Sequence, residues 1–167
     1  DKLVTGVQTC ALPIGAHSST GPLDAGGAAL KGIAHVNLLP AIDAVHGVEL
    51  IAATDVDNPL LGIRGASATY GPQKGADQAM VVALDAALED FSAACGRTAA
   101  GKDPAVALGS GAAGGLGYGL MRIGARREPG IATVLDAVGL VPCLREADLA
   151  RSEEHTSELQ SLAYLVC

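Results

Sequence analysis

Tryptophan is absent from this 167-residue chain, which holds one Phe and three Tyr. So few rings exclude a core built on large aromatic side chains. Ala, Gly, Val and Leu must fill it instead, packing at short backbone distances as in α/β folds where glycines let helices approach a sheet. Basic residues are also scarce: 11 Lys and Arg face 18 Asp and Glu, for a formal charge of −7. That balance excludes a basic stripe for nucleic acid and a polybasic patch for a membrane. No apolar run approaches the roughly 20 residues of a membrane span. A Gly-x-Ser-x-Gly elbow and a Walker A loop are both missing. The four Cys stand in no ligand pattern, so reduced thiols are expected. His35 and His46, expected on a helix and a loop, lack the carboxylate spacing of a metal site, and no metal ligand is assigned.

The two ends differ from what lies between them. "RSEEHTSELQS" (Arg151 to Ser161) and "VTGVQTCALPI" (Val4 to Ile14) back-translate to complementary strands of one DNA sequence, the indexed adapter of short-read libraries. "YLVC" (Tyr164 to Cys167) fits the same adapter's continuation. A helix start at Ser152, followed by Glu153 and Glu154, is the competing reading of one end. Agreement at both ends favours translated adapter over residues 1–14 and 151–167, to be set aside from fold reasoning. Residues 15–150 are then about one domain's worth of native chain. Cys95 and Cys143 are its only thiols.

Within that stretch, breakers and apolar patterns alternate. A short helix is expected from about Ala28 to Ile33. "VELIAATDV" (Val48 to Val56) reads as a buried strand ending in acids. The breakers Pro59, Gly62, Gly65, Gly71 and Pro72 then mark a long structured loop. Asp77 should cap the longest helix, to Cys95, with Met80, Leu84, Leu88, Phe91 and Cys95 on its apolar face. "GRTAAGKDP" reads as a turn and "AVAL" as a short strand. A glycine-rich helix follows, then one opening at Pro129 and a last one in "VPCLREADLA". Arg126 and Arg127 read as a helix-end charge pair in preference to a phosphate clamp. Such a piece should expose strand edges and apolar faces, and so be marginally stable or prone to aggregate.

Three constellations could carry chemistry. In "TDVDNPLLG", Asp55 and Asp57 stand beyond a strand end, where open α/β sheets bind ligands, and share one face if the extended pattern persists. Either could accept a hydroxyl proton or hold magnesium, or both could simply cap turns. In "GPQKGA", Lys74 and nearby amides precede a helix start that would favour an anion; a solvated loop lysine is the simpler reading. In "GSGAAGGLG", Gly109, Gly111 and Gly114 form a G-x-G-x-x-G, the nominal dinucleotide fingerprint. Close helix packing explains the same glycines. "ARREPG" argues against the second, acid-ended strand that a nicotinamide-dependent oxidoreductase would need.

Taken together, "TDVDNPLLGIRGASATYGPQKGA", "GSGAAGGLGYGL" and "PGIATVLDAVGL" resemble bacterial glycerate kinases of type I, in this order and spacing. The likeness runs from about Leu23 to Ala150 and covers only the middle of a family member. The family's Asp-Ser-Phe-Lys, Gly-Gly-Ser-Ala-Thr and Thr-Gly-Glu-Gly-Arg motifs are not in the chain. The resemblance implies an α/β fold with three-layer, Rossmann-like elements, here a piece of one of two domains around a cleft. It implies ATP-dependent, magnesium-assisted phosphorylation of D-glycerate in the cytoplasm, with Asp55 as base or orienter of the substrate hydroxyl. Asp57 and Asn58 would shape the site. Lys74, with Arg64 and the amides at Gly71 and Gly75, would face phosphate or the glycerate carboxylate. Gly111, Gly114 and Gly115 stay divided between ligand approach and packing. Neither a nucleic acid nor a membrane is an expected partner. A truncated reading frame without activity is the third reading of this chain.

Overall fold

The computed structural model describes residues 16–17, 27–98 and 100–149. The adapter-like stretches, residues 1–14 and 151–167, lie outside that range. Strand β1 (Ala16–His17) pairs antiparallel with β2 (His35–Val36), Ala16 opposite Val36. The helix expected from Ala28 is a 3-10 turn over Gly27–Leu30, and His35 lies on a strand, not a helix. Helix α1 (Leu39–Ala44) takes Pro40 in its first turn, where a missing N–H costs nothing.

The site is built on a second sheet. Strand β3 (Ile51–Ala53) runs parallel to β4 (Arg126–Glu128), in the register Ile51 to Arg126, Ala52 to Arg127 and Ala53 to Glu128. Parallel strands need a long connection. Here it holds α2 (Ala66–Tyr70), a 3-10 turn (Pro72–Lys74), α3 (Gln78–Cys95), a second such turn (Pro104–Val106) and α4 (Ala112–Arg122). Helices α5 (Gly130–Ala137) and α6 (Leu140–Glu146) follow. The chain divides into two compact units, Asp1–Thr133 and Val134–Cys167.

Three expectations need correction here. "AVAL" forms no strand: Pro104 presets a helical φ and the Asp103 carboxylate accepts from the Ala105 N–H, so a 3-10 turn wins. Arg126 and Arg127 lie on β4 rather than at a helix end. Strand β3 is not buried throughout; Ala52 is covered while Ile51 remains 40% exposed and Ala53 is open.

Helix α3 organises the first unit's core. Its N-cap Asp77 accepts from the Met80 N–H at 2.8 Å. Val81, Leu84, Ala87, Leu88 and Phe91 form its buried face. Met80, expected there, is 53% exposed, because the stripe runs through Val81 one position on. Leu30, Leu60 and Tyr118 complete the cluster, with Phe91 and Tyr118 edge-to-face at 6.1 Å. Acids on the flanks of the helix tie down loops: Asp85 accepts from Gly62 N–H at 3.1 Å and Asp90 from Gly32 N–H at 2.7 Å. Arg122 caps the other end, donating to the Cys95 and Gly96 carbonyls at 2.6 and 3.0 Å. Burial raises the pKa of the Cys95 thiol above its ordinary range, and also that of the Tyr118 hydroxyl, to which the Cys95 thiol adds.

Candidate active site

Both parallel strands end at the same rim, and pairing continues one step past β3 through Thr54 N–H to Glu128 C=O at 2.9 Å. Beyond that the chain leaves the sheet. Asp55 and Asp57 there meet different partners. Asp55 lies against the start of α5, accepting a long 3.4 Å hydrogen bond from Ile131 N–H. A side chain at Gly130 would come within 2.9 Å of its Oδ2, so glycine there makes room for the carboxylate. Asp57 accepts from Arg127 Nη2 at 2.6 Å.

Strand alternation sorts the charges of β4. Arg126 and Glu128 share a face and pair with each other. Arg126 also bonds Glu49 at 2.9 Å, and Glu128 accepts from the Thr133 hydroxyl at 3.2 Å. Arg127 points the other way, under the glycine-rich segment. A Cβ at Gly109 would fall 2.9 Å from Arg127 Cδ and 3.1 Å from Thr54 Cγ2. Gly109 also has φ +80°, a left-handed backbone that glycine adopts readily. Arg127, read from the sequence as half of a helix-end charge pair, and Glu128, not singled out there, are residues of the rim. The signal was a charged triplet between a helix and Pro129, which lacks the apolar look of a strand.

Asn58 is a hub of the loop. Its Nδ2 donates to the Arg64 carbonyl and to Thr69 Oγ1 at 2.9 and 3.0 Å, and its Oδ1 accepts from Tyr70 at 3.2 Å. The Asn58 carbonyl takes the Gly111 N–H at 2.8 Å. A Cβ at Gly111 would sit 2.2 Å from the Pro59 carbonyl oxygen, and one at Gly117 would sit 2.1 Å from that of Gly109. These two glycines let the chain pack on itself. Ala113, Gly114 and Gly115 run through positive φ values of 51°, 72° and 103°, kinking the start of α4. An open apolar cavity of about 390 Å³ lies beside that kink, lined by Ala53, Thr54, Val56, Tyr70, Ala113 and Leu116 among others.

Lys74 is exposed on its 3-10 turn, and the Lys74 and Arg64 side chains make no hydrogen bond among the described residues. The Gly71 and Gly75 N–H groups donate to the Ser67 and Pro72 carbonyls at 2.9 and 3.1 Å. At the start of α3, the Asp77 carboxylate already holds the amide of Met80. No group of three or more His, Cys, Asp or Glu among the described residues could hold a metal ion. No helix among them is long and apolar enough to cross a membrane. As for the dinucleotide fingerprint, the acid-ended strand once argued against does exist as β4. The strand that should precede Gly109 does not: a 3-10 turn stands there.

Parallel strands whose carboxyl ends gather acids, an arginine and a glycine-rich turn define an α/β protein and make the strand rim its candidate ligand site. Comparison with known proteins names the group. The profile of the Glycerate kinase family matches residues 11–163, and the chain belongs to that family. It is 39% identical over 142 residues to the glycerate kinase of Haemophilus influenzae, covering 84% of this chain and 37% of that one. Against the glycerate kinase of Halalkalibacterium halodurans the identity is 37%, with the same coverage. Glycerate 2-kinase of Escherichia coli is 34% identical over 138 residues, 82% of this chain and 36% of that one. The fold matches a crystal structure of a chain assigned as glycerate kinase 2 from Salmonella typhimurium LT2, with TM-score 0.74 and 32% identity. That match covers 96% of this chain and 46% of the other. The chain thus spans little more than a third of the curated relatives it matches.

Proposed function

We propose that this chain is the central part of a kinase that phosphorylates D-glycerate from ATP, with magnesium, in the cytoplasm, and that by itself it lacks activity. The supporting observation is Asp55 at the rim of the parallel strands, in a chain of this family. Arg127 neutralises Asp57, and Arg126 with Thr133 holds Glu128. Among the described residues Asp55 has only the long bond from Ile131, which leaves its carboxylate oxygens available. Phosphoryl transfer depends on positioning and charge neutralisation more than on covalent chemistry by the protein. In this reading Asp55 orients the substrate hydroxyl and accepts its proton. Asn58 holds the loop that carries Asp55, through Arg64, Thr69 and Tyr70.

ATP with its magnesium supplies the phosphoryl group and a counter-charge when bound. Magnesium seated on phosphates needs only one or two protein carboxylates, and none of this chain's residues is assigned to it. The side chains of Lys74 and Arg64 would meet phosphate or the glycerate carboxylate, since the amides at Gly71 and Gly75 are engaged internally. Gly111 serves packing. The kinked main chain at Gly114 and Gly115 would be what a ligand meets there.

Residues 1–14 and 151–167 stay proposed as translated adapter, which DNA flanking the native stretch would test: an uninterrupted kinase frame through either end would overturn it. The activity is tested by grafting residues 27–149 into the Haemophilus influenzae enzyme and comparing Asp55 with Asp55→Asn. Loss of a general base costs typically about 10²–10⁴ in kcat. A grafted Asp55→Asn enzyme within about threefold of its parent would reduce Asp55 to a turn cap and make Asp57 the better candidate.

A further inference from the structure

Arg127 is the least explained charge in the molecule. Its side chain is only 25% exposed, its stem lies under Gly109, and its Nε is buried with no hydrogen-bond partner. Among the described residues the guanidinium makes one hydrogen bond, from Nη2 to Asp57 Oδ1, although its five N–H donors suit a bidentate oxyanion. The partner is loosely held: Asp57 is 62% exposed and lies past the end of regular structure. A buried donor left unmade is costly, and a fork pinned by its stem but engaged at one tip is poised for another acceptor. Its place at the carboxyl end of the strands adds the position at which open sheets receive ligands.

We propose that Arg127 is an oxyanion-recognising residue of this rim, and that Asp57 masks it until a carboxylate or phosphate competes for the guanidinium. Asp57 then acts as a built-in competitor that swings away toward solvent when the ligand arrives. Gly109 is the enabling residue, because any Cβ there would displace the Arg127 stem. The inference rests on the kinase reading only in the choice of anions tried, and its readout is binding rather than turnover.

The experiment follows the Arg127 Nε–H resonance of the 167-residue chain while inorganic phosphate is titrated in one arm and D-glycerate in the other. A saturable shift in either arm is expected. In D57N the apparent Kd should fall by about threefold, the scale of one partly exposed ion pair. R127K, which keeps the charge and loses the fork and with it the resonance, should bind several-fold more weakly in the responding arm when both chains are titrated by calorimetry. A response to phosphate alone assigns the phosphoryl side of the ligand, and a response to D-glycerate alone assigns its carboxylate. If neither anion moves the resonance, or D57N binds no tighter than the parent, the pair is structural and the proposal fails. The graft gives a second readout should the chain alone aggregate. There R127K should raise KM for one anionic substrate by more than it lowers kcat; equal changes, or none, would also sink the idea. An inactive graft that still binds an anion through Arg127 would count against the kinase reading alone.

Discussion

The cluster around α3 and the rim where β3 and β4 end lie in one unit and obey opposite rules. In the first, Phe91, Tyr118, Leu60 and Leu30 are almost wholly buried, and the flanking acids are spent on loop amides. In the second, three carboxylates and two arginines crowd a few residues of main chain, and a strand keeps apolar side chains half open. The contrast teaches where each region's free energy resides. Side-chain burial holds the cluster together, while the rim keeps partly exposed charge pairs whose individual contribution to stability is small. Such charges are better placed to meet a ligand than to hold a fold.

That contrast can be broken or sharpened by substitution, with urea unfolding of the chain as the common measurement. The largest effect should come from Phe91→Ala, which empties the centre of the cluster and should cost about 3–5 kcal/mol. A loss below about 1 kcal/mol would mean that the cluster is not the core. Gly111→Ala comes next. Its methyl would press on the Pro59 carbonyl, so the loop carrying Asp55 must shift, at about 1–3 kcal/mol. An unaffected midpoint would show that the segment can move aside. Asp77→Ala removes the cap of α3 and should cost about 1 kcal/mol. At the rim, Asp57→Asn should change stability by less than about 1 kcal/mol. A larger loss would make the rim as structural as the core.

The smallest effect is one of pH. Burial raises the Asp85 carboxyl above its ordinary range, against the lowering influence of the Gly62 N–H, with Glu89 adding to the rise. An acid whose folded pKa is raised binds its proton more tightly when folded. Its contribution is therefore fully present below the unfolded carboxylate pKa and lost as pH rises through the raised folded value. Asp85→Asn should flatten that part of the stability curve. An unchanged slope would assign the dependence elsewhere.

Much of the cluster was legible residue by residue. Asp77 before an amphipathic run marks a capped helix, and the helix begins one residue later. Its exact face was not legible, because Met80 and Val81 both suit an apolar stripe and only the neighbours choose between them. The rim was legible at β3, where an apolar run stops at acids. It was opaque at β4, since Arg-Arg-Glu has no strand signature and owes its conformation to parallel pairing with Ile51–Ala53.

Local features follow from the residues alone: turns at Gly and Pro, the cap at Asp77, small-residue packing, acids past a strand end, and the motifs of the glycerate kinase family. These depend on groups a few residues apart, whose geometry the backbone dictates. It takes the folded chain to set Asp55 against Gly130, to bring Asp57 to Arg127, and to make Gly109 and Gly111 points of close approach. Those facts join residues up to 76 positions apart. Such pairings arise when the crossover returns β4 to the side of β3, and no local pattern encodes which side chains then meet.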